Sequence, residues 1–333
     1  MKISFAESRL AGLNAERHLC SKSPFALIIR MKKRPRILFW TFLLLFSGSW
    51  SQAGPVSAYQ PSWPVFSEVE GGEHWYVVQS KDSLYSISGR YGSTWQYLAI
   101  RNRLFPPFKL NRGQRLVVND RHIIPLNQIK DGLLLNIPGH MLYYFEQGVL
   151  LKRYPVGLGR WDWPTPTGSF TVTGRVKNPT WTVPKSIQEE MKREGKFVLE
   201  KVPPGSDNPL GKYWLPLSIP GYGIHATIWP ESIGHSTSHG CIRMITEDIE
   251  DLYGRIKPGL PITIVYEPIK LAVNPDKKIF LEAHANTYQK QFSYWDHVQK
   301  LAGQNGLTDR IDWSKVFRIL NDRIGIADEI TRN

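Results

Sequence analysis

The chain has 333 residues, of which 41% are hydrophobic and 21% charged, with 24 prolines, 27 glycines, 12 tryptophans and two cysteines. At roughly 100–200 residues per domain this length predicts about two globular domains, and so few cysteines exclude a disulfide-stapled miniprotein and a multi-cysteine zinc finger. The net charge of +13 favours an anionic partner, without distinguishing nucleic acid from a membrane or wall surface.

The chain begins with the three regions of a secretory signal peptide. A basic run, Met31–Arg36, precedes the apolar run Ile37–Phe46, and small and polar residues follow as far as Ala53. An apolar run of about ten residues is short of the roughly 20 that a membrane span needs, so we expect export with cleavage near Ala53 or Ala58. The alternative is a signal anchor that stays in the membrane. The methionine that opens the basic run is also a plausible start in place of Met1.

Cleavage changes the charge and the cysteine count. Residues 1–53 carry nine Lys/Arg against two Asp/Glu, so the remaining chain keeps +6 of the +13. This mild surplus removes the basis for nucleic-acid binding. Cys20 leaves with the signal, and Cys241 is then an unpaired thiol in an exported protein, where it needs to be buried or used.

Residues 54–73 are rich in Pro, Ser and Gly and predict a linker. The N-terminal module, residues 74–125, has the pattern strand, helix, helix, strand, with Asp82 and Thr94 as expected helix caps. It resembles the LysM glycan-binding module through matching residues: Tyr76, Val78, Asp82–Leu84, Ile87, Tyr91, Leu98, Asn102, Leu110, Gly113–Gln114 and Leu116. Lys81 departs from the family's usual glycine. The alternative is a small α+β cap on the next domain.

The central domain, residues 126–269, reads as mainly β with two helices. A strand meander is predicted near residues 133–154, a capping box of Ser186 and Glu189 opens one helix, and Thr246 caps the other. We find no phosphate-binding glycine motif, and expect no cofactor. The C-terminal segment, residues 270–333, is predicted to be a helical extension with helices at Tyr288–Leu301 and Asp312–Ile326.

The chemical signal is Cys241 together with its neighbouring histidines. A thiol needs an adjacent imidazole to become a nucleophile, and both His225 and His239 are candidates. In an extended strand His239, Cys241 and Arg243 share one face, and Arg243 suits a carboxylate. Gly240 leaves room for an oxyanion at backbone N–H groups. The alternatives are zinc binding by histidines and Cys241, with His235 included, or an ordinary buried thiol.

The central domain resembles the L,D-transpeptidase (YkuD-like) catalytic domain over roughly residues 130–268. The resemblance rests on His225 followed by Ser238–Arg243, and on the segments 131–133, 164–170, 178–181 and 207–211. It implies that Cys241 attacks the diaminopimelate carbonyl of a tetrapeptide stem and that D-Ala leaves. His225 is then the proton donor and acceptor, His239 assists, and backbone N–H groups of Gly240 and Cys241 hold the oxyanion.

The same resemblance implies further properties. The acceptor is a second diaminopimelate or a lipoprotein lysine, carbapenems acylate the thiol, and the enzyme works in the periplasm on peptidoglycan stems and glycan strands. Ser238, Arg243 and Trp181 are the expected substrate-binding residues, and three further tryptophans can line the groove or fill the core: Trp161, Trp163 and Trp214. The rival functions are an L,D-carboxypeptidase or hydrolase with the same acyl-enzyme, and a non-catalytic glycan-binding scaffold.

Overall fold

The computed structural model describes residues 63–333. The expected signal peptide, its cleavage sites and the alternative start lie outside the described residues. None of the helices between residues 63 and 333 combines the length and apolar character that a bilayer crossing requires.

The N-terminal module has the predicted strand, helix, helix, strand order. Its elements, with the short strands on either side, are β1 (Val65–Phe66), β2 (Val69–Glu70), β3 (Glu73–Val77), α1 (Leu84–Arg90), α2 (Trp95–Arg101), β4 (Arg115–Asn119) and β5 (His122–Ile123). Strands β3 and β4 pair antiparallel, and β2 pairs with β5. Ile87, Leu98 and Leu116 pack into the module's own apolar core.

Local capping in this module partly matches the prediction. Thr94 caps α2 through a hydrogen bond from the Tyr97 amide, as expected. The expected Asp82 cap is wrong, because Ser83 caps α1 in a reciprocal box with Ser86. Asp82 instead accepts a hydrogen bond from the Tyr76 hydroxyl at 2.5 Å and pairs with Arg90. The Asp82 carboxylate therefore connects β3 to α1.

The expected linker is partly structured. Trp63 and Phe66 are buried, and β1 pairs in parallel with a strand of the C-terminal segment. The linker was predicted from the local Pro and Ser content. Burial of the two apolar side chains nevertheless favours an ordered strand here.

The central domain places two sheets around one core. Its elements are β6 (Gly132–Asn136), β7 (Met141–Glu146), β8 (Val149–Pro155), β9 (Leu158–Gly159), β10 (Gly168–Thr171), β11 (Val176–Lys177), β12 (Trp181–Thr182), α3 (Lys185–Arg193), β13 (Lys201–Val202), β14 (Tyr213–Pro216), β15 (Gly223–Ala226), β16 (Ser236–Ser238), β17 (Ile242–Met244), α4 (Thr246–Arg255) and β18 (Pro261–Val265). One sheet has the order β10-β18-β6-β7-β8 and the other β11-β14-β15-β17. Their inner faces, with α4, form one apolar cluster that contains Leu133, Ile224 and Ile242.

The two helices of this domain start differently from the prediction. Pro184 precedes α3 and no side chain caps it, so the Ser186–Glu189 capping box is wrong. Thr246 is the first residue of α4 and Ile245 occupies the cap position. Gly195, with φ +67°, follows the end of α3.

The C-terminal segment contains two helices where two were predicted, although the first starts at Tyr294 instead of Tyr288 and the second ends at Asp322 instead of Ile326. It also contains strands that were not predicted. Its elements, with the strand that leads into it, are β19 (Ile269–Val273), β20 (Ile279–Ala283), α5 (Tyr294–Gln304), α6 (Trp313–Asp322) and β21 (Asp328–Glu329). Strands β1, β19, β20 and β21 form one sheet, against which α5 and α6 pack. These strands were missed because they contain charged residues such as Lys270 and Glu282, which are typical of exposed segments. In the structure the two residues are buried and paired with one another.

A buried polar cluster joins all three parts of the described chain. Glu282 is fully buried, and its Oε1 lies 2.7 Å from Lys270 Nζ and 2.7 Å from His284 Nε2. His122 Nδ1 lies 3.3 Å from the same oxygen, and the Ile123 amide donates to Oε2 at 2.6 Å. The Lys270 ammonium holds the pKa of Glu282 well below its usual range, against the effect of burial.

Candidate active site

Cys241 lies in the bend between β16 and β17. Strand β17 pairs in parallel with β15, which sets His225 opposite Arg243 and Ile224 opposite Ile242. The two isoleucines point into the core, so His225 and Arg243 occupy the opposite face of the sheet. The pairing thus brings the strand that carries His225 alongside the strand that follows Cys241, and the catalytic pairing of the two side chains stays a prediction.

Cys241 is partly buried, and its thiol lies against the backbone of the turn that leads into β15. Cys241 Sγ lies 3.5 Å from the Gly221 carbonyl oxygen. Burial raises the pKa of the Cys241 thiol to about 11, although a backbone hydrogen bond with Gly223 and the charge of Arg243 both act to lower it. The resting group is the neutral thiol.

His225 is buried, with 4% of its surface exposed. Nδ1 donates to the Ala226 carbonyl at 2.5 Å, and Trp214 lies beside the ring with 5.9 Å between centroids. Burial lowers the pKa of His225 to about 4; hydrogen bonds with the carbonyls of Ala226 and Pro209 act to raise it and the Arg243 charge acts to lower it. The free site therefore holds a neutral imidazole and a neutral thiol.

The backbone of Gly240 adopts a conformation that requires glycine. Its φ is +103°, and a Cβ there would lie 2.6 Å from Tyr222 Cε1. Its N–H donates to Ser238 Oγ at 3.1 Å, and its carbonyl accepts from Thr165 Oγ1 at 2.9 Å. The Gly240 N–H, expected to hold an oxyanion, donates to Ser238 in this arrangement, and its oxyanion role stays a prediction.

Ser238 is buried within the loop that carries Cys241. It is 1% exposed, and its hydroxyl donates to the Cys241 carbonyl at 2.6 Å while accepting from the Gly240 amide. Both hydrogen bonds fix the loop that carries the thiol. The expectation that Ser238 binds substrate is corrected accordingly.

His239 is turned away from the expected shared face. The chain is not extended through Gly240, so the strand alternation that placed His239 beside Cys241 does not apply. Instead Nε2 donates to Glu190 Oε2 at 2.5 Å, and the ring meets Trp163 edge-on at 4.8 Å. Glu190 Oε1 also accepts from Arg160 Nη2 at 2.7 Å. These two interactions hold α3, which has no buried residue of its own, against the loop that carries Cys241.

The remaining expected substrate-binding residues lie at the edges of the site. Arg243 is partly buried beside Cys241; its Nη1 donates to Thr237 Oγ1 at 3.3 Å and its guanidinium lies 5.4 Å from the Trp229 ring centroid. Trp181 is partly exposed on the β12–β13 ribbon. Trp161 is 70% exposed, whereas Trp163 and Trp214 touch His239 and His225.

Three supporting residues escaped the sequence analysis. Glu190 had no local signal, and Thr165 stood unassigned within the segment 164–170. Tyr288, from the C-terminal segment, donates to the Gly159 carbonyl at 2.9 Å and accepts from the Thr165 amide at 3.0 Å. Such contacts across 123 or more residues carry no sequence spacing from which to infer them.

The zinc alternative receives no support from the geometry. Within residues 63–333 no three His, Cys, Asp or Glu side chains converge as a metal site. His235 stacks on Tyr85 and His239 pairs with Glu190, so they do not point toward Cys241.

Two segments of the chain match known protein families. A family model for the L,D-transpeptidase catalytic domain matches residues 130–264, and a LysM model matches residues 76–119. The probable L,D-transpeptidase YcfS of Escherichia coli is 30% identical over 267 residues, covering 78% of this chain and 83% of the relative. The probable L,D-transpeptidase ErfK/SrfK of Salmonella typhimurium is 32% identical, covering 74% and 82%. The putative L,D-transpeptidase YkuD of Bacillus licheniformis is 29% identical, covering 57% and 97%.

Proposed function

The chain belongs to the L,D-transpeptidase family, and we propose that Cys241 is the nucleophile with which it transfers peptide stems of peptidoglycan. The observation that carries this proposal is the parallel pairing of β15 with β17, which brings buried His225 beside the loop of the single cysteine in residues 63–333. A scaffold without catalysis would have no need of a buried histidine on β15 opposite the strand that follows a thiol on a glycine-dependent loop.

The reaction starts from a neutral thiol and a neutral imidazole. As Cys241 Sγ attacks the diaminopimelate carbonyl, His225 takes the thiol proton, so the thiolate exists only along the reaction coordinate. The tetrahedral intermediate collapses to a thioester when His225 passes that proton to the departing D-Ala amine. An acceptor amine then attacks the thioester, loses its proton through His225, and restores the thiol.

The oxyanion falls to the Cys241 N–H in this assignment, since the Gly240 N–H donates to Ser238. Arg243 lies on the same face as His225 and suits a carboxylate of the stem. We assign His239 to positioning. It holds the loop through Glu190, and its ring does not assist at the thiol.

The substrate is assigned from both matched domains. A LysM domain beside an L,D-transpeptidase domain supports binding to glycan strands and reaction at their peptide stems. We further propose that the enzyme is exported and that the acceptor amine is either a second diaminopimelate or a lipoprotein lysine. The C-terminal segment supports the site through Tyr288.

The test is mass spectrometry on the intact protein and on its products. A carbapenem should add one adduct to the wild type and none to Cys241→Ala, and an adduct on that variant would overturn the nucleophile assignment. Purified tetrapeptide muropeptides should yield cross-linked dimers. Tripeptide alone would show that water resolves the thioester and that the protein is an L,D-carboxypeptidase.

A further inference from the structure

The peptide bond that joins Gly240 to Cys241 carries both a fixed carbonyl and the proposed oxyanion donor. The Gly240 carbonyl oxygen accepts a hydrogen bond from Thr165 Oγ1 at 2.9 Å. The Cys241 N–H belongs to the same planar unit, in which the trans arrangement directs the N–H opposite to the C=O. The hydrogen bond from Thr165 therefore fixes the direction in which the Cys241 N–H points.

Thr165 is itself held in place by partners on both sides. It is 2% exposed, and its hydroxyl accepts from the Gly159 N–H at 3.0 Å while donating to Gly240. Its own N–H donates to the Tyr288 hydroxyl at 3.0 Å. Because the hydroxyl oxygen has a donor and its proton has an acceptor, the Thr165 side chain is kept in one orientation.

Tyr288 supplies this support from the C-terminal segment. Its hydroxyl donates to the Gly159 carbonyl at 2.9 Å while accepting from the Thr165 N–H. Its ring stacks on Tyr266, with 5.7 Å between centroids and 27° between planes. The Tyr266 hydroxyl also accepts from the Tyr288 N–H at 2.9 Å. One anchored hydroxyl thus joins the two backbone segments that contact Gly240.

The backbone at Gly159 packs directly against the turn that carries Cys241. A Cβ on Gly159 would lie 2.8 Å from Gly240 Cα and 2.7 Å from the Thr165 nitrogen. The next residue, Arg160, donates from its N–H to the Ser238 carbonyl at 3.0 Å. The turn therefore rests on a backbone segment whose own N–H and C=O are held by Thr165 and Tyr288, and a shift of that segment would move the Gly240–Cys241 peptide.

We propose that Thr165 and Tyr288 are positioning residues for acyl transfer, which act on the developing oxyanion through the Gly240–Cys241 peptide. The proposal rests on the proposed function, in which Cys241 is the nucleophile and its N–H holds the oxyanion. A hydrogen bond accepted by an amide carbonyl also polarises the N–H of that amide, so Thr165 both aims and strengthens the donor. Through Tyr288, the C-terminal segment is part of the catalytic apparatus.

The first measurement is carbapenem acylation of the thiol. The oxyanion develops only as the thiol attacks, so weakening its donor lowers the rate and not the affinity. We expect Thr165→Val and Tyr288→Phe each to lower the limiting acylation rate at least about fivefold, less than the ~10²–10³ lost when an oxyanion donor is removed outright. The half-saturating carbapenem concentration should stay unchanged. Thr165→Ser, which keeps the hydroxyl, should restore the rate.

Alkylation by iodoacetamide separates an effect on the N–H from an effect on the thiol. That reaction forms the S–C bond as iodide leaves and builds no oxyanion, so both variants should alkylate Cys241 at the wild-type rate. Tyr294→Phe is the matched control. It removes a hydroxyl of the same segment that also donates to a backbone carbonyl, that of His284 at 2.6 Å, and it should change neither the acylation nor the alkylation rate.

Unchanged acylation in Thr165→Val and Tyr288→Phe, or acylation and alkylation slowed equally, would overturn the positioning roles. If the wild type forms no carbapenem adduct, the proposed function fails, and the positioning roles are judged by the Cys241 amide itself. Protein labelled with ¹⁵N-cysteine gives that resonance, identified by its loss in Cys241→Ala. A shifted resonance in both variants but not in Tyr294→Phe supports the positioning roles, and an unshifted resonance rejects them.

Discussion

His239 donates a hydrogen bond from Nε2 to Glu190 Oε2 at 2.5 Å, joining the nucleophile loop to a helix 49 residues earlier in the chain. The hydrogen bonds and charge of Arg160 and His239 lower the pKa of Glu190, with Arg160 the larger influence, so the carboxylate stays ionised at neutral pH. This relationship assigns a structural task to the second histidine of the motif.

We expect Glu190→Gln to loosen α3 and to lower the rate of carbapenem acylation about tenfold, equivalent to ~1.4 kcal/mol of activation free energy. The loss follows because α3 buries no residue and relies on this carboxylate. Stopped-flow acylation and hydrogen exchange of residues 181–202 measure both effects. Glu189→Gln, on an exposed neighbour of the same helix, is the control; equal effects of the two substitutions would contradict the assignment.

The pH dependence of acylation should follow the buried imidazole. The pKa of His225 is lowered to about 4, so the neutral base is present above that pH and is lost below it. The acylation rate should therefore be flat from about pH 5.5 to 8 and fall with a midpoint near 4, well below the ~6.5 of a free imidazole. A midpoint near that free value would mean that His225 is not the base.

Gly240→Ala should reduce acylation more than it reduces stability. The new Cβ would lie 2.6 Å from Tyr222 Cε1 and would displace the loop that carries the thiol. Gly259→Ala is the matched control, because its φ of +93° imposes similar backbone strain with nothing within 4 Å of the new atom. We expect acylation to fall at least about tenfold for Gly240→Ala alone, with both variants losing ~1–2 kcal/mol of unfolding free energy. Comparable acylation rates in the two variants would contradict this.

Lys270→Met should be strongly destabilising. It leaves fully buried Glu282 without its ammonium partner, and breaking a buried pair costs ~3–5 kcal/mol. Lys278→Met, which removes an exposed ion pair with Glu329, should cost less than ~1 kcal/mol. Urea unfolding of both variants distinguishes them, and similar midpoints would count against a stabilising role for the buried cluster.

The folded state should be sensitive to mild acid. Burial lowers the pKa of His140 to about 3 and those of His225 and His297 to about 4. In the unfolded chain these histidines take up protons at about pH 6.5. Their contribution to the free energy of unfolding is therefore complete above that pH and is lost as pH falls toward 4. Unfolding free energies between pH 7 and 4.5 measure the slope. His297→Phe should flatten it, and an unchanged slope would contradict the prediction for that residue.

The sequence was most informative where chemistry is local. Cys241, His225 and the loop between them form a short pattern, and Thr94 caps its helix by a contact within three residues. The strand, helix, helix, strand order of the N-terminal module follows from alternation and turn residues in the same way. By contrast, Asp82 and Ser186 are residue types that commonly cap helices, but neither caps one here. Asp82 is bound by Tyr76 and Arg90, and Pro184 occupies the cap position before Ser186.

What the sequence determined by itself is the identity of the reacting groups, because a thiol, an imidazole and a glycine at fixed spacing permit few chemistries. The tertiary structure decided their protonation states and the residues they contact. Burial sets the pKa values of Cys241 and His225, and the turn at Gly240 places His239 against Glu190. Tyr288 connects the C-terminal segment to the site, and Glu282 connects it to the buried polar cluster. Each of these depends on which distant side chains exclude water or supply a charge, and that is fixed only when the chain packs.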